Sequence, residues 1–247
     1  MRTRSSTPRR SALAGAAALL LTGVTTACSP GTEDSSITVS APSSLQAVMA
    51  AIATEFEEQH PGARVTVAGP SAASADVIAT DDEASMDRLG RRVIGPRRFA
   101  SNSLVIVVPP GNPGHVTGFA DLARSGLRVA VCSDRLPCGA AVVDVERIES
   151  AALTDPIHVD SGEAAVAYVA SGRADAALAY QTQARPGLGV SVSTVDDPVF
   201  AKAINRYPIA VVRSSDDKSL AEDFVKTVIG PTGGEVLSRE GFGPPSG

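Results

Sequence analysis

The sequence has no tryptophan, only three histidines and only three cysteines among its 247 residues, and these shortages exclude several kinds of site. His60, His115 and His158 each fall in loop-like sequence and do not form the cluster that a metal centre needs. A Gly-x-Ser-x-Gly motif is absent, and the glycines at 230–234 lack the Lys-Ser/Thr that completes a phosphate-binding loop. We therefore predict a protein that is not an enzyme and has no metal centre or cofactor.

Two further patterns resemble sites only at first sight. Ser215 and Lys218 have Ser-x-x-Lys spacing, but the surrounding RSSDDKSL is typical of a solvated helix start. Asp81, Asp82 and Glu83 could suggest a cation site. Adjacent acids at the start of a helix favour the helix dipole, which is the simpler interpretation.

Long hydrophobic runs are also missing. The N-terminal apolar run at 12–24 is too short to span a bilayer comfortably, and arginines precede it, so residues 1–27 are predicted to be an export signal. The signal ends in Thr-Thr-Ala-Cys, which resembles a bacterial lipobox. Lipidation of Cys28 would anchor the protein to the outer face of the cell membrane through a tether at 28–36. An ordinary cleaved signal with an incidental cysteine is the alternative.

Positive charge is scarce in the exported part of the chain. Taking the four arginines of the signal from the 22 basic residues leaves 18 against 27 acidic residues, a formal charge of −9. This balance argues against nucleic acid as a partner. The arginine pairs at 91–92 and 97–98 are either exposed surface charge or a means of steering anions towards a site.

Cys132 and Cys138 are the two cysteines that remain after the signal. In an exported chain such a close pair predicts a disulfide. Closing so short a loop stabilises by roughly 2 kcal/mol in the chain-entropy model, so the bond is expected to shape a loop more than to hold the fold. A zinc site is the alternative, but no second Cys or His pair lies nearby.

Apolar segments alternate with helical patterns from Ile37 onward. Apolar residues at 45–56 have helical spacing, after Ser43 or Ser44 as the cap and before a His-Pro-Gly stop. Further helices are predicted at 83–89, 119–123, 139–149 and 162–170, and from Ser219 and Thr232. Strands are predicted from Ile37 and at 64–68, 75–80, 103–108, 127–131, 175–180, 189–195 and 207–212. The alternation predicts an α/β fold with largely parallel sheets.

One junction recurs along the chain: a strand ends, a few small residues follow, and a helix begins. It occurs at Ser43-Ser44, at 137–139 and at Ser161-Gly162. The first turn of a helix has backbone NH groups without an intrahelical partner and a partial positive charge, so several such ends together make an anion site without Lys or Arg. The alternative is that these serines only cap their helices.

The order of six segments carries a resemblance to a known family. ITVSAPSSL, SNSLVIVVP, LPCG, AALAY, YPIAVV and GPTGGEVLSREGF follow one another as in the periplasmic molybdate-binding proteins, the solute receptors of molybdate ABC importers. The chain resembles the actinobacterial lipoprotein members, in which a paired-cysteine loop ending in Pro-Cys-Gly is familiar. The resemblance covers 37–242. It implies a two-lobed periplasmic-binding-protein fold of type II and a monomer that docks on a membrane permease.

The same resemblance implies an oxyanion gripped by serine hydroxyls, backbone NH groups and one tyrosine. The ligand would be molybdate or tungstate, held by neutral donors that suit a dianion. The matching positions are Ser44, with Ser43 as the fallback, Ser71, Cys138, Ala164 and Tyr180.

The segment after Ser71 departs from the family pattern. A helix normally begins at this serine, whereas here the chain runs almost directly into the strand at 75–80. The loss removes a helix dipole and the support that orients Ser71. Either Ser71 binds more weakly, or the protein takes a different small ligand or has a sensing role.

The resemblance also predicts how the chain is divided. Lobe 1 would comprise 37–105 and 210–247, and lobe 2 would comprise 106–209. Extended crossovers near 103–108 and 207–212 would act as the hinge that closes the lobes over the oxyanion.

Overall fold

The computed structural model describes residues 35–70, 74–124, 126–185, 189 and 191–246. The predicted signal, Cys28 and Ser71 lie outside the described residues. In chain order the strands are β1 (Ser35–Ser40), β2 (Ala63–Ala68), β3 (Val77–Ala79), β4 (Val93–Asn102), β5 (Leu104–Val108), β6 (Val129–Cys132), β7 (Ile157–Val159), β8 (Ala176–Tyr180), β9 (Ser193–Val195) and β10 (Asn205–Val212). The helices are α1 (Ser43–Gln59), α2 (Glu83–Asp87), α3 (Phe119–Leu122), α4 (Pro137–Glu149), α5 (Gly162–Ala170), α6 (Gln181–Ala184), α7 (Lys218–Ile229) and α8 (Pro231–Arg239). Within these ranges, no helix combines the length and the apolar character needed to cross a bilayer.

The described residues form two five-stranded sheets flanked by helices, which confirms the predicted α/β class. The first sheet has the strand order β2-β1-β3-β10-β4 and the second β7-β6-β8-β5-β9. The prediction of mostly parallel sheets is wrong for half of the pairings. β1 pairs in parallel with β2 and β3, as β6 does with β7 and β8. In contrast, β10 and β5 run antiparallel to both of their neighbours.

The mixed pairing follows from the path of the chain between the two sheets. β5 enters the second sheet directly from the first at Ser103, and β10 returns to the first after a 3-10 helix, Pro198–Lys202. Each of these strands therefore starts at the side of the sheet where its neighbours end. β5 starts beside the end of β8 and β10 beside the end of β4, so both run antiparallel to their neighbours. The predicted lobe limits remain a prediction.

Each sheet packs against its own apolar core. The predicted stripe of α1 is confirmed, with Leu45, Met49 and Phe56 all fully buried. Phe56 meets Phe224 of α7 edge to face, with ring centroids 5.4 Å apart. A separate cluster beneath the second sheet contains Phe119 among its buried residues. Helices α1, α2, α7 and α8 belong with the first sheet, and α3 to α6 with the second.

The start of α1 differs from the prediction. Ser43 and Ser44 do not cap the helix, because the cap residue is Pro42, whose backbone is extended. The Pro42 carbonyl accepts from the Leu45 amide at 2.9 Å, so both serines lie inside the first turn. Their hydroxyls are thereby released from capping.

Strand β4 was not predicted from the sequence. Gly95, Pro96, Arg97 and Arg98 break its apolar pattern in the middle. The interruption is tolerated because β4 is an edge strand, which needs ladder hydrogen bonds on one side only. Its register with β10 shifts around Pro208, as expected of a strand with such an insertion.

The connection from β2 to β3 is unusually short. These strands lie on either side of β1, and residues 69–76 join them, although parallel strands ordinarily need a crossover of a dozen residues or more. The short path is possible because Val77 of β3 pairs with Val39, next to the last residue of β1. The end of β2 and the start of β3 therefore both lie beside the carboxyl end of β1.

Asp76 fastens this short connection to the rest of the first sheet. Its Oδ2 accepts from the Thr38 amide at 2.8 Å, and its Oδ1 accepts from the Ser215 hydroxyl at 2.7 Å. Its carbonyl accepts from the Val212 amide at 2.7 Å. Because Ser215 is buried, its hydroxyl has no ready access to water as a replacement acceptor.

We predict that Asp76→Ala lowers the free energy of unfolding by about 2–3 kcal/mol, since the Thr38 amide and the Ser215 hydroxyl both lose a charged acceptor. Urea unfolding followed by circular dichroism measures the change. Asp87→Ala, at the exposed end of α2, is the matched control and should stay within about 0.5 kcal/mol of the parent. Equal effects of the two substitutions would contradict the proposed fastening.

Candidate functional site

A cavity of about 590 Å³ lies where the carboxyl ends of strands from both sheets face each other. Its walls come from the residues that follow β1, β3, β6 and β7 and from the end of β8. The recurring junctions of the sequence therefore converge on one space, as open α/β sheets generally arrange their ligand crevice.

The first wall is the amino end of α1. Ser43 and Ser44 both line the cavity and are exposed to it. Because Pro42 provides the cap, the amides of the first turn have no side-chain acceptor within the helix start. This end offers hydroxyl and amide donors with the favourable end of a helix dipole behind them.

The second wall is the amino end of α4, which a disulfide fixes to β6. Cys132 ends β6 and Cys138 lies in the first turn of α4, with their Cα atoms 5.8 Å apart. The predicted disulfide is confirmed, and the zinc alternative is excluded because both sulfurs are used in the bond. Gly139 packs so tightly that an added Cβ would lie 2.2 Å from the Ser133 carbonyl oxygen. The bond and this contact together fix the position of Cys138 in the wall of the cavity.

The third wall is the amino end of α5. Ser161 caps this helix by accepting from the Ala164 amide at 3.1 Å, so the capping interpretation is correct here. Ala164, the predicted backbone donor, is not among the residues that line the cavity, whereas Gly162 and Glu163 are. In this conformation the Ala164 amide donates to Ser161, and Gly162 and Glu163, the two earlier residues of the turn, line the cavity.

Gln183 joins the end of β8 to this helix. Its Oε1 accepts from the Tyr180 amide at 3.0 Å, and its Nε2 donates to Glu163 at 3.3 Å. It lies so close to Gly162 that a Cβ there would be 1.9 Å from its Oε1. Glycine is therefore required if the glutamine is to lie across the helix end.

Tyr180 ends β8 and lines the cavity while remaining almost fully buried. Burial raises the pKa of its hydroxyl far above the ordinary value, and the neighbouring Tyr207 and nearby carboxylates act in the same direction. The phenol therefore stays protonated at any physiological pH and can donate a hydrogen bond. Nearby, Asn102 donates to the Thr182 hydroxyl at 2.9 Å, which ties the end of β4 to α6.

The charged groups of the cavity are mostly acidic. Asp81, Asp160, Glu163 and Glu240 line it, together with Arg185. Arg185 forms an ion pair with Glu240, and this pair links the segment after α6 to the end of α8 across the two halves. Burial, helped by the adjacent Asp82, raises the pKa of Asp81. No arginine or lysine of the described lining is left without an acidic partner.

The structure brings most of the predicted ligand residues together. Ser43, Ser44, Cys138 and Tyr180 line one cavity. Ala164 does not line it, but it follows Glu163, which does. Their ligand roles remain a prediction. Thr182, Gln183, Arg185, Glu240 and Tyr207 were missed. Thr182 and Gln183 follow a strand end directly and could have been found by the same junction pattern. The pairing of Arg185 with Glu240 could not, because the two residues are far apart in the sequence and no local pattern connects them.

The fold and the cavity together define a protein that holds a small solute in a cleft between two α/β halves. The chain belongs to the bacterial extracellular solute-binding proteins, whose family model matches residues 37–243. Membership confirms the prediction of a binding protein that is not an enzyme and acts outside the cytoplasm.

Two relatives refine the comparison. The molybdate-binding protein ModA of Mycobacterium tuberculosis is 35% identical over 223 residues, which is 85% of each chain. This confirms the resemblance to the molybdate-binding proteins. A putative ABC transporter substrate-binding lipoprotein, YvgL of Bacillus subtilis, is 26% identical over 153 residues, or 58% of this chain and 56% of that one.

Solved structures agree on the fold. The substrate-binding domain of a putative molybdenum ABC transporter from Clostridium difficile superposes with a TM-score of 0.70 at 18% identity, covering 85% of this chain and 99% of that one. The periplasmic molybdate-binding protein of Azotobacter vinelandii gives a TM-score of 0.63 at 18% identity, covering 85% and 100%. At this identity the likeness concerns the fold alone.

We predict that Gly139→Ala destabilises the protein by about 1–3 kcal/mol, because the new Cβ would collide with backbone atoms of Cys132 and Ser133, which cannot turn aside as the end of a flexible side chain can. Urea unfolding measures this. Gly234→Ala in α8 is the matched control: nothing lies within 4 Å of the added Cβ, so the change should be neutral or stabilising by up to about 1 kcal/mol. The packing argument fails if both helical glycines respond alike.

Proposed function

We propose that this protein captures molybdate, and tungstate with it, outside the cytoplasm and delivers the anion to an ABC importer. One observation supports the proposal most: three helix amino ends and a buried, protonated tyrosine converge on a single cavity. The 35% identity to ModA of Mycobacterium tuberculosis suggests the ligand.

The proposed ligand set suits a tetrahedral dianion. Ser44, Ser71, Cys138, Ala164 and Tyr180 would supply hydroxyl, amide and phenol hydrogens to four acceptor oxygens. Neutral donors need no counter-charge, because the helix ends supply the positive potential. Sulfate has the same charge and shape as molybdate, so selection between them would rest on cavity size.

Two adjustments accompany binding in this scheme. The Ala164 amide is held by the Ser161 hydroxyl, so it must exchange that acceptor for an oxygen of the anion, or Gly162 and Glu163 donate in its place. The acidic residues at the cavity oppose a dianion unless they stay at a distance from it. A ligand that carries its own hydrogen-bond donors would meet them more favourably, and it is the competing candidate.

The remaining parts of the proposal concern attachment and partners. Lipidation of Cys28 would hold the receptor at the outer face of the membrane, as the name of the related YvgL lipoprotein suggests for that relative. A monomer with two halves would present the closed cleft to the permease. No bound cofactor is needed for any of these steps.

Titration calorimetry of a protein spanning residues 29–247 tests the ligand. We expect heat with molybdate and tungstate and none with phosphate. Tyr180→Phe and Ser44→Ala should each weaken molybdate about 10- to 100-fold, because each removes a hydrogen bond to a charged partner worth about 1.5–3 kcal/mol. Tyr168→Phe is the matched control, since Tyr168 stacks under Arg173 on α5, away from the cavity, and should bind as the parent does.

Absence of heat with molybdate and tungstate would end the proposal. Heat with phosphate alone would favour the competing ligand, because a protonated oxyanion can donate to the cavity carboxylates.

Closure is the second expectation. The cavity is large for a five-atom anion, so the two halves must approach one another to bring all donors within hydrogen-bond distance. X-ray scattering should show a smaller radius of gyration with saturating molybdate than without ligand. Phosphate at the same ionic strength serves as the control and should leave the radius unchanged. An identical radius in molybdate would show that binding does not require closure.

A further inference from the structure

The edge of the first sheet that lies opposite the cavity carries an unexplained group of arginines. β4 begins at this edge, and β10 ends there because its Val212 pairs with Val93, the first residue of β4. β1 runs in the same direction as β4, so it also begins at this edge. The cavity lies at the other edge, beyond the end of β1. Arg91 and Arg92, in a 3-10 helix, precede β4, and Arg213 follows β10. We refer to these three residues as the basic corner.

Backbone contacts hold the basic corner together. The Arg213 guanidinium donates through Nε to the Arg91 carbonyl at 2.8 Å, and the Arg213 amide donates to the Arg92 carbonyl at 2.8 Å. All three side chains are exposed. Among the described residues none of the three forms an ion pair with a carboxylate, whereas Arg98, further along β4, is paired with Glu83.

This concentration of positive charge is unusual in a chain whose exported part has a formal charge of −9. Like charges gathered on one corner repel each other, so the positive charge itself does not stabilise the fold. They are also poorly placed to steer anions, because they lie at the edge of the sheet opposite the cavity. The position of the pair at 91–92 therefore fits exposed surface charge better than steering, and this surface is free to meet another partner.

The position of the chain start indicates the partner. Ser35 begins β1 at the same edge, three strand spacings from β4, which is about 14 Å. Six residues separate Cys28 from Ser35, and the seven steps between the two Cα atoms can span at most about 25 Å. If Cys28 carries the lipid, this edge of the sheet cannot move far from the bilayer surface.

We propose that the basic corner docks on the anionic lipid headgroups of the membrane that anchors the protein. The inference rests on the lipid anchor of the proposed function, but not on the identity of the captured ligand. A basic patch beside a lipid attachment adds electrostatic attraction to anionic lipids and so strengthens membrane anchoring. The contact would involve the edge of the first sheet that lies opposite the cavity, so it would leave the cavity open to incoming solute.

Sedimentation with lipid vesicles tests the docking without the anchor. The non-lipidated protein spanning residues 29–247 is suitable because residues 33–247 form one compact unit. It should bind vesicles of phosphatidylcholine mixed with phosphatidylglycerol and not vesicles of phosphatidylcholine alone. The binding should be lost in about 1 M salt, where the screening length falls to about 3 Å.

The triple variant Arg91→Ser, Arg92→Ser, Arg213→Ser should partition onto the anionic vesicles on the order of 100-fold less, since each arginine near such a surface contributes roughly fivefold. The matched control changes Arg124, Arg147 and Arg173 of the second half to serine and loses the same net charge. It should bind vesicles like the parent.

The outcomes separate this proposal from the function. Equal vesicle binding by the triple variant and the parent, an equal loss in the control variant, or no binding of the parent to anionic lipid would each overturn the docking. Molybdate titration of the same samples reports on the proposed function independently, and the triple variant should retain it. Mass spectrometry of the membrane-extracted protein for an acyl group on Cys28 tests the anchor.

Discussion

The constraint on which the site depends is the set of unpaired backbone NH groups at the start of every helix. A folded chain must give these groups a partner or leave them facing water. Here three helices start at strand ends that face one space, so their donors are collected there and the amide dipoles add a positive potential. The surrounding features serve to hold these ends in place: Pro42 frees the serines of α1, the disulfide fixes α4, and Gln183 lies across α5.

The distribution of charge also makes the helix ends the main source of attraction for an anion. The cavity carries carboxylates, and its arginine is already engaged with Glu240, so attraction for an anion would come from oriented dipoles and not from net charge. Dipoles act over a short distance and require close contact, whereas the acidic groups act over a longer range. A bound anion therefore has to be enclosed tightly by its donors. The ion pair between Arg185 and Glu240 connects the two halves across the cavity, which would have to narrow when the anion binds.

Much of the fold could be predicted from the sequence because its signals are local. The stripe of α1, the strand ending in Tyr180 and the helix after Ser161 all show in the periodicity of short segments. The failures have non-local causes. Strand β4 contains Gly95 and Pro96, and only its place at the edge of the sheet makes them acceptable. The direction of β5 and β10 depends on which sheet the chain has just left.

Which residues of the site could be predicted also depends on whether their signals are local in the sequence. Strand-to-helix junctions locate Ser43, Ser44 and Cys138 because each lies within a few residues of a strand end. The cap of α1 was misassigned, since Pro42 competes with the serines and its extended backbone decides the start of the helix. Asp76 was not recognised as a fastening residue, because its partners Thr38 and Ser215 are brought to it only by the sheet.

The disulfide beside the cavity also affects when the protein can become active. Thiols stay reduced in the cytosol and join only after export. During synthesis the turn that presents Cys138 is therefore held by packing alone, and its covalent closure waits for passage across the membrane. The loop that presents Cys138 would thus take its final covalent form on the side of the membrane where the solute is collected.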